Sequence, residues 1–318
     1  MKVGLDVMGG DNAPQSTIDG AILARKEMDS GNTIVLIGDQ PSIEKMFKDR
    51  NADLTDFEII HAEEMIEMGE HPTKALRQKS KSSISIGFHL LKKGYIDAFS
   101  SAGNTGAVLV GAMYSVGSID GVLRPATAAT APRADGKYNI LLDVGTNPDA
   151  KPDVLEQFAI LGKIYAETVF DIKNPKIGLL NLGEEKEKGN LVAKATYPLM
   201  KESTDYNFIG NIEGRDILGI KADVIVCDGF TGNVVLKQME SLYHILKEQG
   251  LQNEYLDKFN YENYGGTPVL GIKAPVLVGH GISNAKAIKN MILHSLNIAK
   301  ADMPKQIENT LLHNRRKQ

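Results

Sequence analysis

Ala222-Asp223-Val224-Ile225-Val226-Cys227-Asp228-Gly229-Phe230-Thr231-Gly232-Asn233-Val234-Val235-Leu236-Lys237 reads as a buried strand, a glycine loop and the opening of a helix. Gly229 and Gly232 let the backbone turn tightly and approach a ligand, Thr231 is placed to cap, and the free N–H groups of a helix start favour an anion. The expectation is an oxyanion or phosphate pocket. The pattern recurs upstream, because residues 97–110 align without gaps on 223–236. Asp97 falls on Asp223, Gly103 on Gly229, Thr105 on Thr231, Gly106 on Gly232 and Val108 on Val234. Ser101-Ala102-Gly103-Asn104-Thr105-Gly106 therefore looks like a partner loop, and two such loops could face one substrate from two sides.

Working outward, strands and helices alternate along the chain. Strand patterns fall at 2–8, 33–38, 57–61, 95–101, 138–144 and 176–182, most of them apolar on both faces, and helical patterns follow at 14–28, 41–49, 72–93 and 153–170. Such runs predict an α/β fold of three layers, α/β/α, with a mainly parallel sheet covered by helices on both sides. Ligands of such sheets sit at the carboxyl ends of the strands. Six of those ends, after Met8, Ser101, Val144, Leu182, Ile209 and Cys227, carry Gly with Asn, Asp, Thr or Ser. Within 72–93, Arg77, Lys79 and Lys81 form either a solvated face or a docking site for an acidic partner. A single catalytic domain over 1–318 is expected, interrupted at 238–264 by a protruding helical hairpin with a break at Gly250. The hairpin's apolar positions, among them Met239, Leu242, Tyr243, Leu246, Tyr255, Leu256 and Phe259, want a second subunit or a lipid surface.

Composition excludes several classes. The 318 residues carry a net charge of −4, with no basic run beyond Arg315-Arg316-Lys317, so a nucleic-acid partner is not expected. One cysteine, Cys227, rules out an internal disulfide, and the chain begins directly on a strand pattern, which points to the cytoplasm. No apolar run approaches the ~20 residues that span a bilayer, so any membrane contact is peripheral. The seven histidines show no metal-ligand spacing, and neither a metal nor another cofactor is expected. Ser101 lacks a nucleophile elbow, Cys227 reads as a core residue and His280 as a structural loop residue. What remains is a site rich in amide and backbone donors and short of nucleophiles. It suits a substrate that brings its own, such as inorganic phosphate attacking a thioester, with the protein orienting the reactants and stabilising a tetrahedral oxyanion.

The chain resembles the phosphate acyltransferases of bacterial phospholipid synthesis. The resemblance rests on Asp6-Val7-Met8-Gly9-Gly10-Asp11, on 101–106, on Leu141-Leu142-Asp143-Val144-Gly145, on Lys188-Gly189-Asn190, on Gly210-Asn211-Ile212-Glu213-Gly214-Arg215-Asp216, on 227–233 and on Tyr264-Gly265-Gly266. It implies transfer of a fatty acyl group from acyl-acyl-carrier-protein to inorganic phosphate, giving acyl phosphate. It also implies a fold like the isocitrate and isopropylmalate dehydrogenases and phosphotransacetylase, a homodimer, and peripheral contact with the inner face of the cell membrane through the helical protrusion. Ile282, after His280-Gly281, departs from the small polar residue expected in relatives.

On position and chemistry, Asn104, Thr105, Lys188, Asp228 and Asn233 are the candidate catalytic residues. Candidate substrate-binding residues are Asp6, Gly9, Gly10, Asn12, Ser101, Gly103 and Gly106 at the first loops. Asn147, Asn181, Lys186, Asn190, Asn211, Arg215, Gly229, Thr231 and Gly232 complete the set. Two other readings compete. Asp143-x-Gly145-Thr146 and Asp6-x-x-Gly9 look like the phosphate loops of an actin-like kinase, although the hairpins expected after each are missing. The hairpin alone would suit a non-catalytic scaffold that binds carrier protein or membrane.

Overall fold

The computed structural model describes residues 1–315; Arg316 and Lys317 of the basic tail lie outside the described residues. In chain order the strands are β1 (Lys2–Asp6), β2 (Thr33–Gly38), β3 (Phe57–His61), β4 (Ala98–Ser101), β5 (Ala126–Pro132), β6 (Tyr138–Leu142), β7 (Lys176–Leu180), β8 (Asn207–Ile212), β9 (Val224–Val226), β10 (Gly266–Leu270) and β11 (Val276–Gly279). Contacts divide the chain into two compact units, where one domain over 1–318 is the sequence expectation. One unit holds Met1–Ser118 and Tyr261–Asp302; the other holds Ile119–Asn260 and the C-terminal helix.

In the first unit the strand order is β3-β2-β1-β4-β11-β10, parallel throughout except for the β10–β11 pair. Val35, Ile37, Phe88, Phe99 and Val276 meet in its core, with the Phe88 and Phe99 rings edge to face at 5.0 Å. In the second unit the order is β5-β6-β9-β7-β8, antiparallel only between β5 and β6. Its core joins Ala131, Leu141, Ile212 and Ile225. The α/β reading with a mainly parallel sheet is therefore right in both units, for the reason the sequence offered: strands apolar on both faces need helices on both sides.

The helices are α1 (Gln15–Glu27), α2 (Gln40–Asp49), α3 (Pro72–Gln78), α4 (Ser83–Lys92), α5 (Thr105–Gly111), α6 (Pro152–Val169), α7 (Leu191–Glu202), α8 (Gly229–Glu248), α9 (Glu254–Asp257), α10 (Ala285–Lys300) and α11 (Met303–Arg315). Among the described residues no helix is long and apolar enough to cross a membrane.

Three local expectations are corrected. The single helix over 72–93 is two, because Ser82 leaves helical geometry and accepts the Ser85 N–H as the cap of α4. In the bend, Lys79 pairs with Glu70, and Lys81 with Glu63 at 2.8 Å, which favours the solvated face for that cationic run. Gly265-Gly266-Thr267-Pro268 and Gly279-His280-Gly281, which the sequence reads as loops at the sheet, hold the start of β10 at Gly266 and the end of β11 at Gly279. The hairpin is lopsided. Its first arm is the continuation of α8, Gly250 turns the chain at φ +76°, and the second arm is the four-residue α9. On α8, Val235, Leu236, Met239 and Tyr243 face inward, while Phe230, Val234, Leu242 and Ile245 are exposed.

Candidate active site

Each unit builds a polar cluster at the carboxyl ends of its strands. In the first, Asp6 closes β1 with its carboxyl fully buried, accepting the Ser101 hydroxyl at 2.7 Å and the Met8 N–H at 3.1 Å. Burial pushes this carboxyl's pKa up, and those hydrogen bonds oppose the rise. Ser101 in turn accepts the Gly103 N–H at 3.0 Å. Gly9 presses against the second loop: a Cβ there would collide with the Asp6 carboxylate and lie 2.7 Å from the Gly103 nitrogen. Gly10, at φ +118°, leads into Asp11 and Asn12, whose amide donates to the Ile282 carbonyl at 3.2 Å. That contact is to main chain, so it does not depend on the side chain at 282.

Asn104 sits at the start of α5, but its amide serves the protein. Oδ1 accepts the Ala107 N–H at 2.9 Å, and Nδ2 donates to the carbonyls of Glu67, Met68 and Glu70 at 2.9–3.1 Å. The side chain caps a helix and ties down the loop ahead of α3, with both amide protons committed. Thr105, the next residue, is exposed, and its hydroxyl makes no hydrogen bond among the described residues. Gly106 lies against Pro72.

The second unit's cluster centres on Asp143, a residue absent from the candidate set. It follows β6 directly and is fully buried. Its Oδ1 accepts the Thr127 N–H at 3.0 Å, the Thr127 hydroxyl at 2.8 Å and the Thr146 N–H at 3.2 Å. Oδ2 accepts the Asn147 N–H at 2.6 Å and the Asn147 side-chain amide at 2.9 Å. The loop thus fixed is the seat of the deciding stretch. The Gly229 N–H donates to the Asn147 carbonyl at 2.8 Å, and any Cβ on Gly232 would collide with the Asp143 carbonyl oxygen. Asp228 caps α8, accepting the Thr231 N–H at 2.8 Å and its hydroxyl at 3.0 Å. Asn233 gives one amide proton to the Val144 carbonyl at 3.2 Å and is exposed, leaving the second proton unclaimed among the described residues. Cys227 is buried behind this loop, and burial pushes its thiol well above the ordinary range, as a core residue requires.

The neighbouring strand ends supply cations. Asn181, after β7, donates to the Lys188 carbonyl at 3.1 Å; Asn190 caps α7 through the Ala193 N–H at 2.8 Å; Asn211 donates to the Glu185 carbonyl at 3.0 Å. These three amides shape the 181–190 loop. Lys186 is exposed and lies 3.5 Å from Glu187, and Arg215 pairs with Glu213 at 2.9 Å. Lys188 is exposed and forms no ion pair among the described residues. The candidates thus separate into structural amides and carboxylates (Asn104, Asn147, Asp228, Asn181, Asn190, Asn211) and groups with bonding capacity to spare (Thr105, Lys188, Asn233).

A cleft of about 440 Å³ opens beside the Asp143 loop, bordered by Thr146, Asn147 and Asp149, by the start of α6, and by Leu123 and Arg124 ahead of β5. Arg124 and Lys151 were missed from sequence because neither lies in a motif. The available signal was a cation beside each of two prolines, Pro125 and Pro152, flanking a polar strand end.

Comparison with known proteins bears on this arrangement. Residues 1–306 match the model of the family described as "Fatty acid synthesis protein". A phosphate acyltransferase of Dictyoglomus turgidum is 43% identical over 326 residues, spanning 96% of each chain. That of Aquifex aeolicus is 42% identical over 330 residues, again 96% of each, and that of Brevibacillus brevis 40% over 334 residues, 99% of this chain and 98% of its own. Among solved structures, a phosphotransacetylase from Streptococcus pyogenes superposes with a TM-score of 0.64 at 17% identity, covering 94% of both chains. EutD phosphotransacetylase from Staphylococcus aureus gives 0.63 at 15%, covering 95% of this chain and 94% of its own. At such identities the structural likeness establishes the phosphotransacetylase-like fold alone, whereas these sequence relatives match over 96–99% of this chain. The chain belongs to the phosphate acyltransferase family and is an acyltransferase enzyme.

Proposed function

We propose that the protein moves a fatty acyl group from an acyl-carrier-protein thioester to inorganic phosphate, releasing acyl phosphate for phospholipid synthesis. The observation that carries this reading is the mismatch between donors and nucleophiles at the strand ends. In the second unit Asn233 and Lys188 have bonding capacity free, while the one thiol, Cys227, is buried with its pKa pushed up and the Asp228 carboxylate is held by Thr231. A site of this kind needs its nucleophile from the substrate. An oxygen of phosphate attacks the thioester carbonyl, the carbonyl electron pair becomes an oxyanion, and its collapse breaks the C–S bond. The thiolate leaves and takes its proton from water. Donors aimed at the oxyanion lower the barrier, and losing one typically costs ~10²-fold or more in rate. Lys188 offers the positive charge for phosphate.

The whole chain serves this one activity in the cytoplasm, at the inner face of the membrane. Exposed Leu242 and Ile245 on α8, with Leu251 beyond it, support α8–α9 as the surface for a second copy of the chain and for peripheral membrane contact. The test is direct. The purified protein is mixed with acyl-acyl-carrier-protein and phosphate, and thiol release is followed together with hydroxylamine-reactive acyl phosphate. Thiol release that ignores phosphate, or phosphate transfer from ATP in its place, would overturn the reading.

A further inference from the structure

We propose that the cleft between Arg124 and Lys151 receives the phosphopantetheine arm on which a carrier protein presents its thioester. The inference rests on the function proposed above and adds where the donor lies. Its basis is the bonding capacity left in the cleft wall.

Asn147 has spent both side-chain amide protons, one on the Pro125 carbonyl at 2.7 Å and one on Asp143 at 2.9 Å. The Thr146 hydroxyl donates to Thr127 at 3.1 Å. What these two lining side chains have left to offer is acceptor capacity, Asn147 Oδ1 and a Thr146 Oγ1 lone pair. Asp149 and Asp153, also on the wall, are acceptors too. A bare phosphate ion, which is chiefly an acceptor at neutral pH and partly dianionic, finds no side-chain donor in these four residues, and the two carboxylates repel it. A ligand carrying N–H donors fits.

The rest of the lining narrows the choice. Leu123, Ala150 and Val154 give the cleft apolar surface, and its volume of about 440 Å³, half open to solvent, leaves room for an organic ligand of some length. Arg124 and Lys151, both exposed, border it and form no ion pair among the described residues. The ligand should therefore carry amide N–H groups, an apolar backbone and one singly charged anionic group. A pantetheine arm has two amides joined by methylenes, and a phosphodiester ties it to its carrier. The phosphodiester would meet Arg124 and Lys151, and the amide protons would meet the acceptors of the wall.

The experiment compares three thioesters of the same acyl chain, on carrier protein, on 4′-phosphopantetheine and on pantetheine, using wild type and the double variant Arg124→Ala/Lys151→Ala. The expected result is that the wild-type preference in kcat/KM for the phosphorylated donor over the pantetheine donor shrinks by about tenfold, the size suited to two exposed charge contacts. The KM for inorganic phosphate should hold. The charge-retaining variant Arg124→Lys/Lys151→Arg should recover the preference. Calorimetric titration with 4′-phosphopantetheine alone should show the same weakening. If the phosphate KM rises and the donor preference survives, the cleft serves the free ion and the inference is wrong. It is equally wrong if the two small donors lose efficiency together, or if no parameter moves. Should wild type release no thiol from any donor, the proposed function falls on its own, while the calorimetric titration still reads the cleft.

Discussion

Replacing Asp143 by Asn tests whether a buried carboxylate holds the second unit's loop in place. The substitution keeps the shape and one acceptor oxygen and converts the other oxygen to a donor. If the new NH₂ replaces Oδ2, the Asn147 N–H at 2.6 Å and the Asn147 amide at 2.9 Å face a donor; if it replaces Oδ1, the two Thr127 groups and the Thr146 N–H do. At least two hydrogen bonds to a charged acceptor are lost whichever way the amide turns. Each is worth about 1.5–3 kcal/mol, which gives roughly 3–6 kcal/mol. Removing the charge also removes its desolvation cost, so the lower end, about 3 kcal/mol, is the expected loss. That is a large share of a typical stability of about 5–15 kcal/mol. Urea unfolding followed by far-ultraviolet circular dichroism should show the midpoint falling with little change in slope. Thr127→Val, which removes one donor to Asp143 and the acceptor of the Thr146 hydroxyl while leaving the carboxylate in place, should cost less than Asp143→Asn. A loss under about 1 kcal/mol for Asp143→Asn would refute the argument that this carboxylate organises the loop.

The other predictions concern residues beside the same strand ends. Asn104→Ala should destabilise the protein by about 1–3 kcal/mol, because it removes a helix cap and three carbonyl contacts, whereas Thr105→Val should leave the unfolding midpoint in place and lower kcat; midpoints that move in the opposite pattern would return Asn104 to the chemistry. Lys188→Ala should raise the phosphate KM several-fold, with smaller effects from Lys186→Ala and Arg215→Ala, whose charges already have partners; an unchanged KM removes Lys188 from phosphate binding. Glu156 on α6 accepts the Tyr206 hydroxyl at 3.1 Å, and its pKa is raised chiefly by burial above the ordinary 4.5. In the folded protein this group holds its proton to higher pH than it does unfolded, so stability falls as pH rises from about 4.5 through the folded pKa. Glu156→Gln should therefore raise the melting temperature at about pH 8 and lose that advantage toward about pH 4; a constant difference across the range would contradict the linkage.

Apolar patterning carried most of the fold because a strand buried on both faces has few alternatives. Val224–Val226 and Thr33–Gly38 could hardly be anything else. Where the pattern is broken, reading failed: β10 contains Pro268 and starts at Gly266, both of which argue locally against a strand, and its pairing with β11 overrode them. The break between α3 and α4 was available in the sequence, since Ser82 precedes the apolar run as a cap would. The candidate site was legible as a set of residue types and much less as a set of roles. A polar residue at a strand end can face a ligand or serve the chain, and only its partners decide. Asn104, Asn147 and Asp228 turned out to serve the chain, through contacts that no spacing rule reveals. Arg124 and Lys151 reach the cleft from separate segments, so their proximity is a tertiary fact.

The likeness of the two glycine loops extends beyond the aligned motif to the strand starts. In the first unit the Asp97 N–H donates to the Lys2 carbonyl at 2.7 Å, and its carboxylate accepts the Lys2 N–H at 2.6 Å, clamping the starts of β4 and β1 together. In the second, Asp223 treats Lys176 in the same way, at 2.8 Å for both bonds, joining β9 and β7. At the far ends the two units differ in which neighbour carries the carboxylate, β1 itself in the first and β6, on the other side of β9 from β7, in the second. Asp6 lies one residue past the Leu5–Ser100 pair and Asp143 one past Leu142–Val226, each a buried carboxylate beside the strand that feeds a glycine loop. Each glycine loop then rests on the backbone that follows that carboxylate, Gly103 on Gly9 and Gly229 on Asn147. The copies differ in where the helix begins. Asp228 caps α8 two aligned positions ahead of Asn104 on α5, so α8 engulfs the loop that α5 leaves outside. That shift turns Thr231 inward onto Asp228 and leaves Thr105, its aligned counterpart, exposed with a free hydroxyl. The same strand-loop-helix plan thus yields two unlike surfaces, one offering a side-chain hydroxyl and the other the Asn233 amide.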